Sequence, residues 1–192
     1  MSVTTTGRSS ARQRLLAAAD ELFYAEGVHS VGIDRVIEHA GVAKATLYNA
    51  FGSKDELIKA YLLARHARRQ ERVARWLAGV ESPRERVLAV FDALSEAFAE
   101  PGFRGCAFLN ASAEVAPGGK VGEVCETSRG WVRSTFRQLA AEAGATDPDG
   151  LARQLVLLYD GASVAAQLDG NVGAGAVART VAETLVDAAT RR

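Results

Sequence analysis

Lys44, Thr46, Tyr48 and Asn49 crowd into the run GIDRVIEHAGVAKATLYNAF, residues 32–51, and all four can meet phosphates or base edges. Their spacing puts them on the outer side of a short helix whose inner side is Leu47 and Phe51, four residues apart. Lys44 and Thr46, with Ala45 between them, begin that helix and would reach base edges first. Asn49 follows one turn later, and its amide can bond adenine at two points in a major groove. Val36 and Ile37 mark another helix just upstream, and Ala40-Gly41-Val42 breaks the two apart. Glycine enters the left-handed backbone region without a Cβ penalty, so Gly41 suits an abrupt reversal. A helix-turn-helix that lays its second helix in a DNA groove has these parts. A plain helical hairpin shares the apolar spacing but has no use for the polar outer face.

Neighbouring elements must hold this pair. Upstream, Ser10 can cap a helix running to Glu26, with Leu15, Leu16, Ala19, Leu22 and Phe23 as its apolar stripe and Gly27 as its end. Gly32 is an acceptable cap for the helix before the turn, and Asp34 lies in its first turn, where the helix dipole favours a carboxylate. Downstream, Ser53-Lys54-Asp55-Glu56 is a capping box: Ser53 bonds the Glu56 amide, and Glu56 returns to the amide of Ser53. It predicts a long helix from Lys54 to about Leu77, whose amino end can face a phosphate backbone. Residues 1–10 read as a mobile Ser- and Thr-rich arm, and Arg8, with Arg12 and Arg14 beyond it, could neutralise phosphates.

The run AGVAKATLYNAFGSKDEL resembles the DNA-binding segment of TetR-type transcriptional repressors, whose usual form is close to AGVSKGTLYxHFxSKExL. The likeness is dense through residues 11–63. Beyond them only the helical layout and the run GCAFLNASAEVA are similar to particular subfamilies. The resemblance implies an all-α fold of about nine helices: a mobile arm over 1–10, a three-helix DNA-binding bundle over 11–53, and an effector-binding and dimerisation domain over 54–192, joined by the long helix. It implies that Tyr48 and Lys54 clamp phosphates and set register without reading sequence. The function it implies is that of a homodimeric repressor, released from a palindromic double-stranded operator by a small-molecule effector, with no cofactor, metal or catalytic activity. Two positions depart from the pattern. Ala43 replaces the common Ser and removes a capping oxygen, and Asn49-Ala50 replace larger residues, so operator preference does not transfer.

With 192 residues the chain can bury one good core, or a small domain beside a larger one. Its formal net charge of zero speaks against a non-specific coating protein and leaves room for a locally basic face. Cys106 and Cys125 are too few for a disulfide scaffold, and MSVTTTGRSSARQRLL has no signal-peptide pattern. The apolar run from Leu151 to Leu168 is broken by Arg153 and Asp160, so no membrane span is expected and a reducing cytoplasm is. Enzyme signatures fail residue by residue. Gly118-Gly119-Lys120 is followed by Val121 where a phosphate loop needs Ser or Thr, no G-x-S-x-G occurs, and His29, His39 and His66 lack ligand spacing. A helical adaptor that binds protein is the other class the periodicity permits.

Past the long helix, apolar spacing predicts helices over about residues 83–99, 105–115, 120–143, 148–170 and 173–190. On the long helix, Arg65, Arg68, Arg69, Arg72 and Arg75 form a basic stripe. Arg72 is about 27 Å along the axis from Lys54, too far to share its DNA contact, so the stripe reads as a solvated face. In the resembled fold, the segments bearing Phe91, Leu94, Phe98, Phe103, Cys106, Phe108, Asn110, Trp131 and Tyr159 surround an effector cavity. A mainly apolar lining with a few polar groups suits a small molecule, although the same aromatics also build ordinary helical cores. Leu151, Leu155, Leu158, Ala162 and Ala165, with Val177, Val181 and Leu185 on the last helix, predict a four-helix interface between two copies. Cys106 carries an alternative. Its run is similar to one in family members whose cysteine senses oxidants or electrophiles, and Arg104 or a helix amino end could stabilise a thiolate. A small buried hydrophobe is the plainer reading.

Overall fold

The computed structural model describes residues 10–115 and 118–191; the expected phosphate contact of Arg8 lies outside them. Among the described residues there are nine helices and no strand, as the all-α expectation required. They are α1 (Ala11–Glu26), α2 (Ile33–Ala40), α3 (Lys44–Phe51), α4 (Lys54–Leu77), α5 (Pro83–Phe98), α6 (Ala107–Glu114), α7 (Gly119–Glu142), α8 (Pro148–Asp169) and α9 (Ala174–Thr190). None is long and apolar enough to cross a membrane.

Helix starts follow local chemistry. Ser10 Oγ accepts from the Gln13 amide at 3.2 Å, and Gln13 Oε1 accepts from the Ser10 amide at 2.7 Å, a reciprocal box that opens α1. Ser53 Oγ accepts from the Glu56 amide at 3.2 Å and opens α4. The return bond expected from Glu56 is absent, because its carboxylate pairs instead with the Lys120 ammonium on α7. A full opposite charge is the stronger partner for a carboxylate than a neutral amide. Asp147 caps α8 by accepting from the Gly150 amide at 2.8 Å, with Pro148 in the first turn.

Apolar burial gathers into two cores. One joins α1–α3 to the first half of α4, to α6 and to the start of α7, through Leu15, Phe23, Val36, Leu47, Tyr61, Phe108 and Val121. The other fills the space among α5, α7, α8 and α9, with Phe91, Phe98, Phe136, Leu155 and Val186. The border between the cores falls within α4 and α7, away from the expected division after residue 53. The reason is area: α2 and α3 are eight residues each and cannot cover the apolar face of α1. Tyr61, Phe108 and Val121 supply what is lacking. In the second core α9 lies close against α5 at Gly175, where a Cβ would stand 3.0 Å from the Ser95 Cα. Arg84 and Arg179 clamp the same pair of helices: Arg84 bonds Asp187 at 2.6 Å and Arg179 bonds Glu85 at 3.0 Å.

Candidate functional site

The polar end of the molecule is built on the turn between α2 and α3. Gly41 adopts φ 61°, ψ 46°, and the Val42 amide donates to Ile37 O at 3.3 Å, so the chain reverses in a few residues. Ala43 caps α3 with backbone alone, as its missing oxygen predicted. Leu47 is fully buried and anchors α3, while Lys44, Ala45, Tyr48 and Asn49 are exposed and Thr46 is half-buried. Lys44 Nζ donates to Asp34 Oδ1 at 2.8 Å, and this hydrogen bond to the carboxylate raises the lysine's pKa. Asp34 was legible only as a dipole partner of its own helix. The pair is open to water and weak, so a phosphate can displace it.

Lys54, the first residue of α4, donates from Nζ to His29 O at 3.3 Å. Glu114, at the end of α6, holds the other side of the same residue: its Oε2 accepts from the His29 amide at 2.7 Å. Arg12 and Arg14, expected beside DNA, brace the bundle. The Arg12 guanidinium lies over the Phe51 ring, 4.8 Å from its centre, and Arg14 Nε donates to Ala40 O at 3.2 Å.

Farther along α4, a cavity of about 340 Å³ opens between the two cores. Of the residues named from the sequence, Leu94, Phe98, Phe103, Cys106, Phe108 and Tyr159 line it. Phe91, Asn110 and Trp131 do not. Phe91 is fully buried one layer deeper, 5.5 Å from Phe136 and 6.4 Å from Tyr159 between ring centres. Asn110 turns away to donate to Arg104 O at 2.9 Å, and Trp131 packs edge-on against His66 at 5.6 Å. Burial pushes the Tyr159 phenol up; burial, then the charge of Arg69, pulls His66 down.

What sequence reasoning missed is the wall. Arg65, Arg69 and Arg72, expected to be solvated, are half-buried and line the cavity together with Tyr24 of α1; Arg68 also borders it but is exposed, as is Arg75. The Arg65 and Arg72 side chains keep only 20% and 17% of their surface exposed. Asp20 pairs with both Arg65 and Arg68 at 2.8 Å, and Arg72 pairs with Glu100. The Arg65 guanidinium also stacks on Tyr24 at 3.5 Å. The three-and-four spacing of the arginines was a visible signal of one shared face; their burial was not, because it depends on the segment after α5 crossing over them.

The α8–α9 surface differs from the expected interface. Leu151 and Leu155 face the core of their own chain, Ala162 is buried between that core and the surface trough, and Leu158, Ala165 and Leu185 sit half-buried at the edge. Val177 is 64% exposed, and Val181 is exposed beside it. On α8 Leu157, at 75%, Leu168, at 77%, and Val164 are exposed large apolar residues. Leu157, Leu158, Ala165, Val177 and Leu185 line an open apolar trough of about 550 Å³. Of the expected stripe, Leu158, Ala162, Ala165, Val177 and Leu185 border this trough, whereas Leu151 and Leu155 belong to the core of their own chain. A helix that is apolar on more than one side does not show by period alone which side its own chain covers.

An exposed α3 presented across a glycine turn, on a small bundle tied by one long helix to a cavity-bearing body, defines a helix-turn-helix regulator. The family description "Bacterial regulatory proteins, tetR family" matches residues 15–61. A TetR-family transcriptional regulator of known structure from Streptomyces coelicolor is 37% identical, with 94% of this chain and 96% of that one covered and a TM-score of 0.90. This chain belongs to the TetR family of transcriptional regulators. Among curated relatives, the transcriptional activator FasR of Mycolicibacterium smegmatis is 46% identical over 59 residues, 31% of this chain and 26% of that one. The transcriptional repressor NemR of Escherichia coli is 30% identical over 106 residues, 54% of this chain and 53% of that one. The matched segments thus span about a quarter and about half of these two relatives.

Proposed function

We propose that the protein binds a palindromic operator as a homodimer and that a small molecule in the α4 cavity sets its affinity for that operator, relieving repression when bound. One observation carries this: α4 belongs to both places, with Lys54 at its start beside the recognition helix and Arg65 to Arg72 walling the cavity. A ligand that favours a shifted α4 changes the spacing of two recognition helices, and operator affinity falls by the difference in its affinity for the two states. A second link runs through α6, which begins beside Cys106 at the cavity and ends at Glu114 on His29, the residue that also receives Lys54. On the DNA, Lys44, Ala45, Thr46 and Asn49 address base edges, while Tyr48 and Lys54 contact phosphates. The exposed trough along α8 and α9 is the face for the second copy. Selection of genomic fragments by the purified protein, followed by footprinting, is expected to return a palindromic site. Failure to prefer any fragment over random duplex would overturn the proposal and favour a protein-binding adaptor.

Cys106 supports a second reading, a thiol that senses oxidants or electrophiles. Its Sγ accepts from the Arg69 guanidinium at 3.4 Å and lines the cavity, where a small reactive molecule could reach it. Hypochlorite or a quinone should then release operator from the wild type and leave Cys106→Ser bound. Equal responses exclude it.

A further inference from the structure

Arg69 differs from every other arginine in the cavity wall. Asp20 answers Arg65 and Arg68, and Glu100 answers Arg72, but Arg69 has no carboxylate partner among the described residues. Its hydrogen bonds go to neutral groups, Ser128 Oγ at 3.1 Å and Cys106 Sγ at 3.4 Å, and its guanidinium lies over the Phe108 ring at 4.6 Å. A guanidinium has five N–H donors, and no other acceptor among the described residues takes the remainder. Tyr159 faces the same cavity. Its ring is buried, and its hydroxyl has no hydrogen-bond partner among the described residues. The Nε of Arg72 is buried without a hydrogen-bond acceptor, with the Glu96 carboxylate 3.6 Å away. Asp160 acts on Arg69 only at a distance, and Glu100 of the cavity lining is taken by Arg72, so a half-buried cation without a salt-bridge partner and a phenol without an acceptor face the cavity and are complementary to an anion. Leu94, Phe98 and Phe103 supply an apolar wall opposite these donors.

We propose that the cavity takes a small organic acid, with its carboxylate against Arg69 and the Tyr159 hydroxyl and its apolar body among Leu94, Phe98 and Phe103. The planar guanidinium fork matches a carboxylate at two points, which a neutral amide cannot reproduce and an ammonium opposes. The volume, about 340 Å³, lies at the small end of ligand sites, so the acid is of modest size. This inference names the chemistry of the effector and rests on the assignment of the cavity as the effector site.

The test is calorimetric titration of the full-length protein near neutral pH with three matched probes, 4-phenylbutyrate, 4-phenylbutyramide and 4-phenylbutylamine, with operator release followed in parallel. The acid should bind roughly tenfold or more tightly than the amide, as loss of a charge-assisted bond predicts, and the amine should bind weakest. Arg69→Gln should erase the preference for the acid, and Arg69→Lys should keep part of it. Tyr159→Phe should weaken the acid several-fold and leave the amide unchanged, a check that stands even where Arg69→Gln fails to fold. Equal affinity for acid and amide, a preference that survives in Arg69→Gln, or no binding of any probe at millimolar concentration overturns the organic-acid site. Release by the amide as effectively as by the acid overturns it too, yet leaves the effector role of the cavity standing. Arg69-dependent acid binding with no change in operator affinity overturns the effector role and leaves the acid site standing.

Discussion

Replacing Lys54 by Ala should flatten the salt dependence of operator binding by a calculable amount. The side chain is the first of α4, and its one hydrogen bond among the described residues is the 3.3 Å contact to His29 O at the surface. Removing it leaves the Ser53 cap intact and should cost the fold less than about 1 kcal/mol, since exposed hydrogen bonds contribute little net stability. In a homodimer two copies neutralise two phosphates, and each contributes about 0.9 to the slope of log K against log salt, so the slope should fall by about 1.8. Between 50 and 200 mM salt, a fourfold change, the variant should therefore lose about 12-fold less affinity than the wild type. Fluorescence anisotropy on the selected operator at three salt concentrations reads this directly. Thr46→Ala is the control. It should keep the wild-type slope while changing which base is preferred, at a cost of roughly 1 kcal/mol on the best site. If Lys54→Ala runs parallel to the wild type in salt, Lys54 does not touch a phosphate, and the orientation assigned to the head is wrong.

Gly175→Ala should lower stability in urea by about 1–3 kcal/mol, because its Cβ would press on the Ser95 backbone and drive α9 off α5; an unchanged midpoint would show that α9 is not seated there. Leu157→Asp combined with Val177→Asp should give a folded monomer in sedimentation and abolish tight operator binding, whereas Leu155→Ala should cost about 2–5 kcal/mol of subunit stability, since that side chain is internal. A charged trough that still dimerises would place the interface elsewhere. His66, held below its ordinary pKa by burial and by Arg69, is protonated more readily in the unfolded chain. Its contribution to stability is complete above about pH 6.5 and is lost as the pH falls through the window down to its lower folded value. Urea denaturation from pH 7 to pH 5 should thus decline less steeply for His66→Gln, and parallel declines would assign the loss to other groups.

Much of the architecture was legible because it is governed by neighbours a few residues apart. Gly41 at positive φ, Ser10 and Ser53 as caps, Pro83 and Pro148 in first turns and the apolar spacing of each helix act within one or two turns. The outer face of α3 was legible for the same reason: Leu47 must point inward, and residues 44, 45, 48 and 49 then point out. The Glu56 return bond failed as soon as a residue 64 positions away, Lys120, came within reach.

The amino-acid order by itself determined an all-helical chain with a helix-turn-helix near its start, since period, caps and a left-handed glycine are local properties. Only the tertiary structure decided which side of α8 is covered by its own chain and that the arginines of α4 line a cavity. It also decided that Arg69 alone lacks a carboxylate there. Those outcomes depend on contacts between residues far apart in the chain, such as Asp20 with Arg65 and Ser128 with Arg69, and on what other helices leave exposed. Burial changes the meaning of a charge: the same guanidinium is unremarkable in water and, half-buried in a cavity without a salt-bridge partner of its own, becomes a place for an anion.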